Sequence, residues 1–228
     1  MDIEQSWQKI RQRLMNNKIL LVGGGGHCKS VLDSLLALDE FSEIAVIDKR
    51  KNIGKEMMGV LFTGSLEELP HLFDDGYRFA FVTLGSIGNP GIRIELFKKI
   101  SEIGFEIPNI IDPSAVVSGY AKMERGIFVG KNAVVNAGST IGQGAIINTG
   151  AIIEHDCSVG QFAHIAPGSV LSGEVQIGEN THIGSNSVIK QQLKIGSDSI
   201  IGMGSVVLKD IEDRIIAYGN PCRKIRRR

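Results

Sequence analysis

Aromatic residues are scarce in this 228-residue chain, 6% in all, with a single tryptophan. That scarcity suits an interior whose axis leaves no room for rings. There are only three cysteines, and no signal peptide precedes the first apolar run. The chain offers no disulfide framework and reads as cytoplasmic. Charge of one sign is also missing, since Lys and Arg number 25 and Asp and Glu number 25. That balance makes the chain a poor candidate for bulk nucleic-acid binding, which needs a basic surface. No stretch approaches the roughly 20 apolar residues of a membrane span. H-x-x-x-H and C-x-x-C spacings are absent too, so no metal site is expected. What the chain has in quantity is glycine, 28 residues.

Much of that glycine lies in the second half, where the chain counts in sixes. Every sixth position from Ile111 through Val117, Met123, Val129 and onward to Ile195, Ile201 and Val207 is aliphatic or Met. Four places after most of them sits a small residue, as at Ala133, Ser139, Ala151, Cys157, Ala163, Ser169 and Thr181. Gly often follows the aliphatic directly, as at Gly142, Gly160 and Gly178. No helix has a period of six, but a parallel β-helix does. Each hexad is a short strand plus a corner, and three hexads close one triangular coil. Seventeen hexads make roughly six coils stacked about 4.8 Å apart, a prism on the order of 27 Å long.

The first half reads differently. Residues 1–17 place Trp7, Ile10 and Leu14 at helical spacing among charges, an amphipathic helix for packing on the first domain or a neighbour. Residues 18–108 form an α/β domain, a Rossmann-like half. The apolar run Lys18–Val22 is a buried parallel strand leading into Gly23, Gly24, Gly25, Gly26 and His27, with a helix over 28–38. Strand, glycine turn and helix bring backbone N–H groups to a phosphate at the helix N-terminus. The dinucleotide pattern G-x-G-x-x-G is not met, because Cys28 and Lys29 stand where its last glycine would be. A second strand, 43–47, ends at Asp48, where an acid often meets a ribose or base. Strands are also expected at 59–63 and 78–84, with a capped turn at 65–70 between them. A second glycine loop, beginning at Gly85, follows the last strand at the same sheet edge, and a helix covers 93–103. The β-helix then spans 109–210. Residues 211–228 break the hexad rule, cap the last open coil and end in the basic run Arg223, Lys224, Ile225, Arg226, Arg227, Arg228.

Regularity makes departures legible. His155, His164 and His182 occupy neither the axial nor the small-corner slot, so they face outward, toward solvent or another subunit. His164 and His182 are one full coil apart and should stack. His155 lies in the run Glu154, His155, Asp156, Cys157, and an imidazole beside a carboxylate is the arrangement of a general base. Cys157 falls in a small-corner slot, which makes it packed and inert. His71 reads as plain surface.

These residues resemble a known family. The hexad array closed by Gly219, Asn220, Pro221, Cys222 and Arg223 resembles the left-handed β-helix, or hexapeptide-repeat, acyltransferases, where Ala usually stands at the Cys222 position. The glycine loop with His27, then Asp48, Gly85, the His155 run and His164 are together similar to the bacterial sugar acetyltransferases, over about residues 18–228. Those enzymes acetylate UDP-4-amino sugars (the bacillosamine pathway) or sialic acids. The left hand of the coil comes from the resemblance alone, since parallel crossovers are otherwise right-handed in about 98% of cases. The resemblance implies a homotrimer with active sites between neighbouring subunits, and acetyl-CoA as donor without a metal. It implies His155 as base with Asp156 as its acidic partner. His164, Gly173 and Ser185 would contact acetyl-CoA, and Gly25, Gly26, His27, Asp48 and Gly85 would hold the sugar nucleotide. Two positions depart from the pattern: Lys49 replaces a common second acid, and Cys28 replaces a usual glycine, which leaves the nucleotide open.

The expected reaction is direct acetyl transfer in a ternary complex to the amine of a UDP-4-amino-4,6-dideoxy sugar, with His155 taking the proton and backbone N–H groups or His164 holding the oxyanion. O-acetylation of a sialic-type sugar keeps the fold and changes the acceptor. A non-catalytic trimeric stalk that senses a nucleotide is the third reading.

Overall fold

The computed structural model describes residues 17–228. The expected N-terminal helix over 1–17 falls almost wholly outside them. The chain divides into two compact units. One runs up to Gly85 and resumes at Glu95–Pro108; the other comprises Ser86–Ile94 and Asn109–Arg228.

In the first unit, β1 (Lys18–Val22) is followed by α1 (Gly26–Leu38), β2 (Glu43–Ile47), β3 (Glu56–Met57), β4 (Val60–Gly64), α2 (Leu69–Asp74) and β5 (Phe79–Val82). The strand order is β3-β4-β2-β1-β5. All pairings are parallel except the β3–β4 hairpin. Ile19, Leu20, Leu21 and Val22 are fully buried, as a central strand covered on both faces requires. The helix α3 (Gly91–Ile103) is shared by the two units, its first turn belonging to the second. Helices α1 and α3 each start two residues before their expected positions, each with a glycine as its first residue. At the expected capped turn, the Glu68 carboxylate accepts the Ser65 N–H at 2.6 Å.

The second unit is the prism. Its seventeen two-residue strands, Ile110–Ile111 through Val206–Val207, each end on the sixth-position residue read from the sequence. The first strand pairs with the fourth, the second with the fifth, and so on, always parallel and always one full coil apart. Three faces result. The first carries outward Ile110, Phe128, Ile146, His164, His182 and Ile200; the second carries Val116, Val134, Ile152, Val170, Val188 and Val206; the third carries Lys122, Thr140, Ser158, Gln176 and Lys194. The axis from Val129 to Val207 is closed to solvent.

The small-corner slot does more than fit. Ser139, Ser169 and Ser187 donate from Oγ to the carbonyls of Glu154, Gly184 and Gly202 at 2.8–3.0 Å, and Thr181 donates to Gly196 at 2.7 Å. Ala and hydroxyl residues therefore share the slot because the hydroxyl finds a backbone acceptor on the next coil, a bond worth about 1 kcal/mol. Cys157 sits there with Sγ 3.2 Å from the Ser172 carbonyl, and burial pushes its thiol up. Glycine after the axial residue lets coils close: a Cβ on Gly178 would collide with the Ser197 backbone nitrogen.

The end of the prism is capped. Ile215–Tyr218 pairs parallel with the strand Ile200–Ile201, and Arg223–Arg227 returns antiparallel beside it. The basic run is thus an ordered edge strand with every residue exposed. Among the described residues, no helix is long and apolar enough to cross a membrane.

Candidate active site

His155 follows the axial Ile153 by two residues, at a corner leaving the second face. Its Nδ1 lies 2.9 Å from Asp156 Oδ2, and the two side chains are 58% and 61% exposed. Asp156 adopts φ +58°, a left-handed corner that Asp enters more readily than most residues. That turn swings its carboxylate back to the preceding ring. With a carboxylate at Nδ1, the imidazole carries its proton there and presents Nε2 as the basic atom. The bond to Asp156 raises the His155 pKa, and the charges of Asp156, Glu154 and Glu174 add to the rise, against a smaller effect of burial.

Gly173 stands one coil over, next to Glu174, whose N–H donates to the His155 carbonyl at 2.9 Å. A Cβ at Gly173 would stand 2.5 Å from His155 Nε2 and 2.6 Å from its Cε1. The ring therefore lies directly on bare backbone, an approach only glycine permits.

His164 and His182 are register partners with ring centroids 4.9 Å apart at 75°, edge to face. The stack expected from their spacing of one coil is present. The expected exposure is not: the two are only 7% and 8% accessible. They point away from the axis, but the Ser86–Ile94 segment belongs to this unit and reaches His164. His164 Nδ1 lies 3.0 Å from the Ser86 carbonyl, and its Nε2 lies 3.1 Å from Asn148 Nδ2. With both ring nitrogens engaged, His164 is not placed to donate to an oxyanion in this state. Burial lowers the pKa of His182, whose Nδ1 has no partner among the described residues. Ser185 is half-buried on the next turn of the same face, with its carbonyl taken by the Gly204 N–H at 2.8 Å.

In the first unit, Gly25 caps α1 with extended backbone, and a Cβ on Gly25 or Gly26 would meet nothing. The start of this helix is thus open to a ligand's phosphate. Gly85 lies against His27, 3.4 Å from its Cβ to a Cβ placed on the glycine, so the two glycine loops meet at one sheet edge. Asp48 accepts the Asn52 amide at 2.8 Å. Beside these loops is a cleft of about 410 Å³ whose lining includes Gly24, Lys29, Asn52, Lys55 and Phe62. Gly24 must be glycine because a Cβ there would collide with the Phe62 ring. Cys28, the departure from the family pattern, is fully buried in the first turn of α1, and burial pushes its thiol up to about 11. Lys49, the other departure, is exposed.

Lys29, Asn52, Lys55 and Phe62 carry no motif, and sequence reasoning misses them. It also misses Asn148 and Arg93. Asn148 does not stand a whole number of hexads from His164, so the period does not flag it. Among the described residues, no group of three or more His, Cys, Asp or Glu could hold a metal ion.

Residues 18–100 match the PglD N-terminal domain, and residues 138–173 and 174–209 match the bacterial transferase hexapeptide family. No curated protein sequence matches the chain. A histidine-to-asparagine mutant of perosamine N-acetyltransferase from Caulobacter crescentus, solved with CoA and GDP-perosamine, is 36% identical over 92% of this chain and 97% of its own, with a TM-score of 0.86. The acetyltransferase domain of PglB from Neisseria gonorrhoeae FA1090, solved with acetyl coenzyme A, is 35% identical over 92% of this chain and 100% of its own, also with a TM-score of 0.86. WeeI from Acinetobacter baumannii AYE, 22% identical over 91% and 99% of the two chains with a TM-score of 0.79, shares the fold. A non-catalytic stalk is not what such relatives are. The chain belongs to the bacterial sugar acetyltransferases, acyltransferases built on a left-handed hexapeptide-repeat β-helix with a PglD-type N-terminal domain.

Proposed function

We propose that the protein transfers acetyl from acetyl-CoA to the amine of a nucleotide-linked amino sugar, of the UDP-4-amino-4,6-dideoxy type, in a ternary complex with His155 as general base. The observation that carries this is the exposed His155–Asp156 pair, with Nδ1 held at 2.9 Å and Nε2 lying over the bare Gly173 backbone. The amine nitrogen attacks the thioester carbonyl while Nε2 takes its proton. The C–S bond then breaks, and the imidazolium returns the proton to the CoA sulfur. Asp156 holds the tautomer and offsets the charge that forms on the ring. Gly173 marks the place where unshielded backbone comes closest to the reacting atoms, so backbone N–H groups of this corner are the candidates for oxyanion stabilisation. His164, Gly173 and Ser185 are assigned to acetyl-CoA. Gly25, Gly26, His27, Asp48 and Gly85 are assigned to the sugar nucleotide, with the cations Lys29 and Lys55 supplying charge in the adjoining cleft.

The test is thiol release from acetyl-CoA with a UDP-linked 4-amino sugar, in wild type and His155→Ala. Turnover that falls by roughly 10²–10⁴ in the variant supports the assignment; an undiminished rate sinks it. The complex of the Caulobacter relative with GDP-perosamine favours a second reading in which the acceptor is GDP-linked. The same assay with both nucleotides decides between them, and activity on a free nonulosonic acid alone would favour O-acetylation.

The active assembly in this proposal is a homotrimer. The second face of the prism is its support: all six outward residues are branched aliphatics, with Val116 63% and Val188 41% exposed. The third face instead carries Lys, Thr, Ser and Gln. Sedimentation should give three chains per particle, and Ile152→Asp on that face should release monomers. A monomeric wild type would end this part of the proposal.

A further inference from the structure

A buried cation stands near the acyl-donor histidine without touching it. Arg93, in the first turn of α3, is only 4% accessible, and among the described residues no carboxylate pairs with it. Its Nη1 donates to the Gly144 carbonyl and its Nη2 to the Phe162 carbonyl at 2.5 Å, two corners of adjacent coils. The guanidinium carbon lies 5.5 Å from the Phe162 ring centroid. Desolvation lowers its pKa only to about 10, so it remains charged at neutral pH. A charge buried at that cost, serving only two carbonyls, works as a clamp on the segment that bears it.

The same segment is seated at two further points. Gly88 has φ +76°, and a Cβ there would be 2.7 Å from Ile200 Cδ1, so the backbone lies against the first face. At Ser86 the carbonyl meets His164 Nδ1 at 3.0 Å. Two hydrogen bonds bear on the tautomer of His164. Asn148 Oδ1 accepts the Thr149 N–H at 2.8 Å, which turns the Asn148 NH₂ toward His164 Nε2. Nε2 must then be an acceptor, and Nδ1, facing a carbonyl, must carry the proton. An imidazolium would set Nε2–H against an NH₂ donor. The His182 ring, stacked edge to face on it, is buried, and burial lowers its pKa.

We propose that Arg93 is a positioning residue for His164: by clamping the Ser86–Ile94 segment to two coils, it holds the Ser86 carbonyl that keeps the imidazole in the neutral Nδ1–H form. The consequence for turnover rests on the acetyl-transfer reading above, whereas the tautomer does not. A proton-bearing Nδ1 locked to backbone leaves the orientation of the ring, and of the Asn148 amide beyond it, unable to follow solvent.

The test is ¹⁵N-histidine NMR of the full chain at neutral pH, with the His164 resonances assigned from His164→Gln, alongside steady-state kinetics of wild type, Arg93→Met and Arg93→Lys. Wild type should show a pyrrole-type Nδ1 and a pyridine-type Nε2 at His164. Arg93→Met should shift the ring toward the Nε2–H form and lower kcat about tenfold, the scale of one supporting hydrogen bond, with the sugar-nucleotide KM unchanged. Arg93→Lys, which keeps the charge and loses the fork, should fall between the two. An Arg93→Met protein that melts earlier but keeps the wild-type His164 signature shows a merely structural arginine and overturns the proposal. If Arg93→Met does not fold, Gly88→Ala decides in its place: lifting the segment off Ile200 should move the tautomer the same way, and an unmoved tautomer overturns the proposal. A wild type with no turnover but the predicted Arg93-dependent tautomer would sink the acetyl-transfer reading and support the clamp.

Discussion

Replacing Gly173 by Ala is the sharpest test of the proposed catalytic corner, because its size follows from one close approach. The added methyl would stand 2.5 Å from His155 Nε2, 2.6 Å from Cε1 and 3.2 Å from Cδ2. Comfortable contact between such atoms needs about 3.5 Å, so the ring must withdraw by about 1 Å. His155 is 58% exposed, and its ring can swing into solvent without disturbing the prism. A displacement of that size stretches the 2.9 Å bond to Asp156 out of hydrogen-bonding range. It also moves the proposed base away from the amine, and a misplacement of about 1 Å costs on the order of 10²-fold in rate. Stability should move little. Gly173 is not in the left-handed region, and Gly to Ala at a compatible site stabilises by about 0.4–1 kcal/mol. The expected outcome is therefore kcat lower by about 10²-fold, with melting temperature and oligomeric state kept. The assay is CoA thiol release in wild type, Gly173→Ala, His155→Ala and the double variant. If the methyl acts through His155, it costs almost nothing once His155 is gone. A Gly173→Ala enzyme within twofold of wild type, or a full loss repeated in the His155→Ala background, would refute the reasoning.

Three further outcomes are expected. In the pH profile of kcat/KM, the rate should rise with pH as His155 loses its proton. Asp156→Asn should move that midpoint to lower pH, because the carboxylate that raises the imidazole pKa is removed, and should lower the plateau by about 10- to 100-fold; a midpoint that stays put denies the pairing. Gly24→Ala drives a methyl into the Phe62 ring at the cleft, an overpacking cost of about 1–3 kcal/mol, so the sugar-nucleotide KM should rise about tenfold while the acetyl-CoA KM holds. Ile183→Ala opens a void on the sealed axis; it should cost about 2–5 kcal/mol in chemical denaturation and leave kcat in the remaining folded protein near wild type.

Most of the prism is readable without any coordinate. A period of six points to a parallel β-helix, though not to its hand, and each strand ends on its sixth-position aliphatic or Met. The stack of His164 on His182 follows from counting one coil along the chain, and the inert corner of Cys157 follows from the hexad slot it fills. The same count puts Gly173 one coil over from His155, so the contact between glycine and base is available from arithmetic, although family resemblance is what points to it. The pairing of His155 with Asp156 is legible because neighbours at a corner have few ways to avoid each other.

Other features have no signature along the chain. The hydrogen bond that covers His164 comes from Ser86–Ile94, a segment far away in sequence that folds with the prism unit. Arg93 reads as a helix boundary because nothing in one dimension announces that its guanidinium will lie between two coil corners. Phe62, Lys29 and Lys55 line a common cleft only because parallel strand order brings β4 beside β2 and β2 beside β1. Repetition along a solenoid is a local property, enforced coil by coil through nearest-neighbour contacts, and a sequence records it in full. Which loop covers which face depends on contacts between distant segments, and only the folded chain decides that.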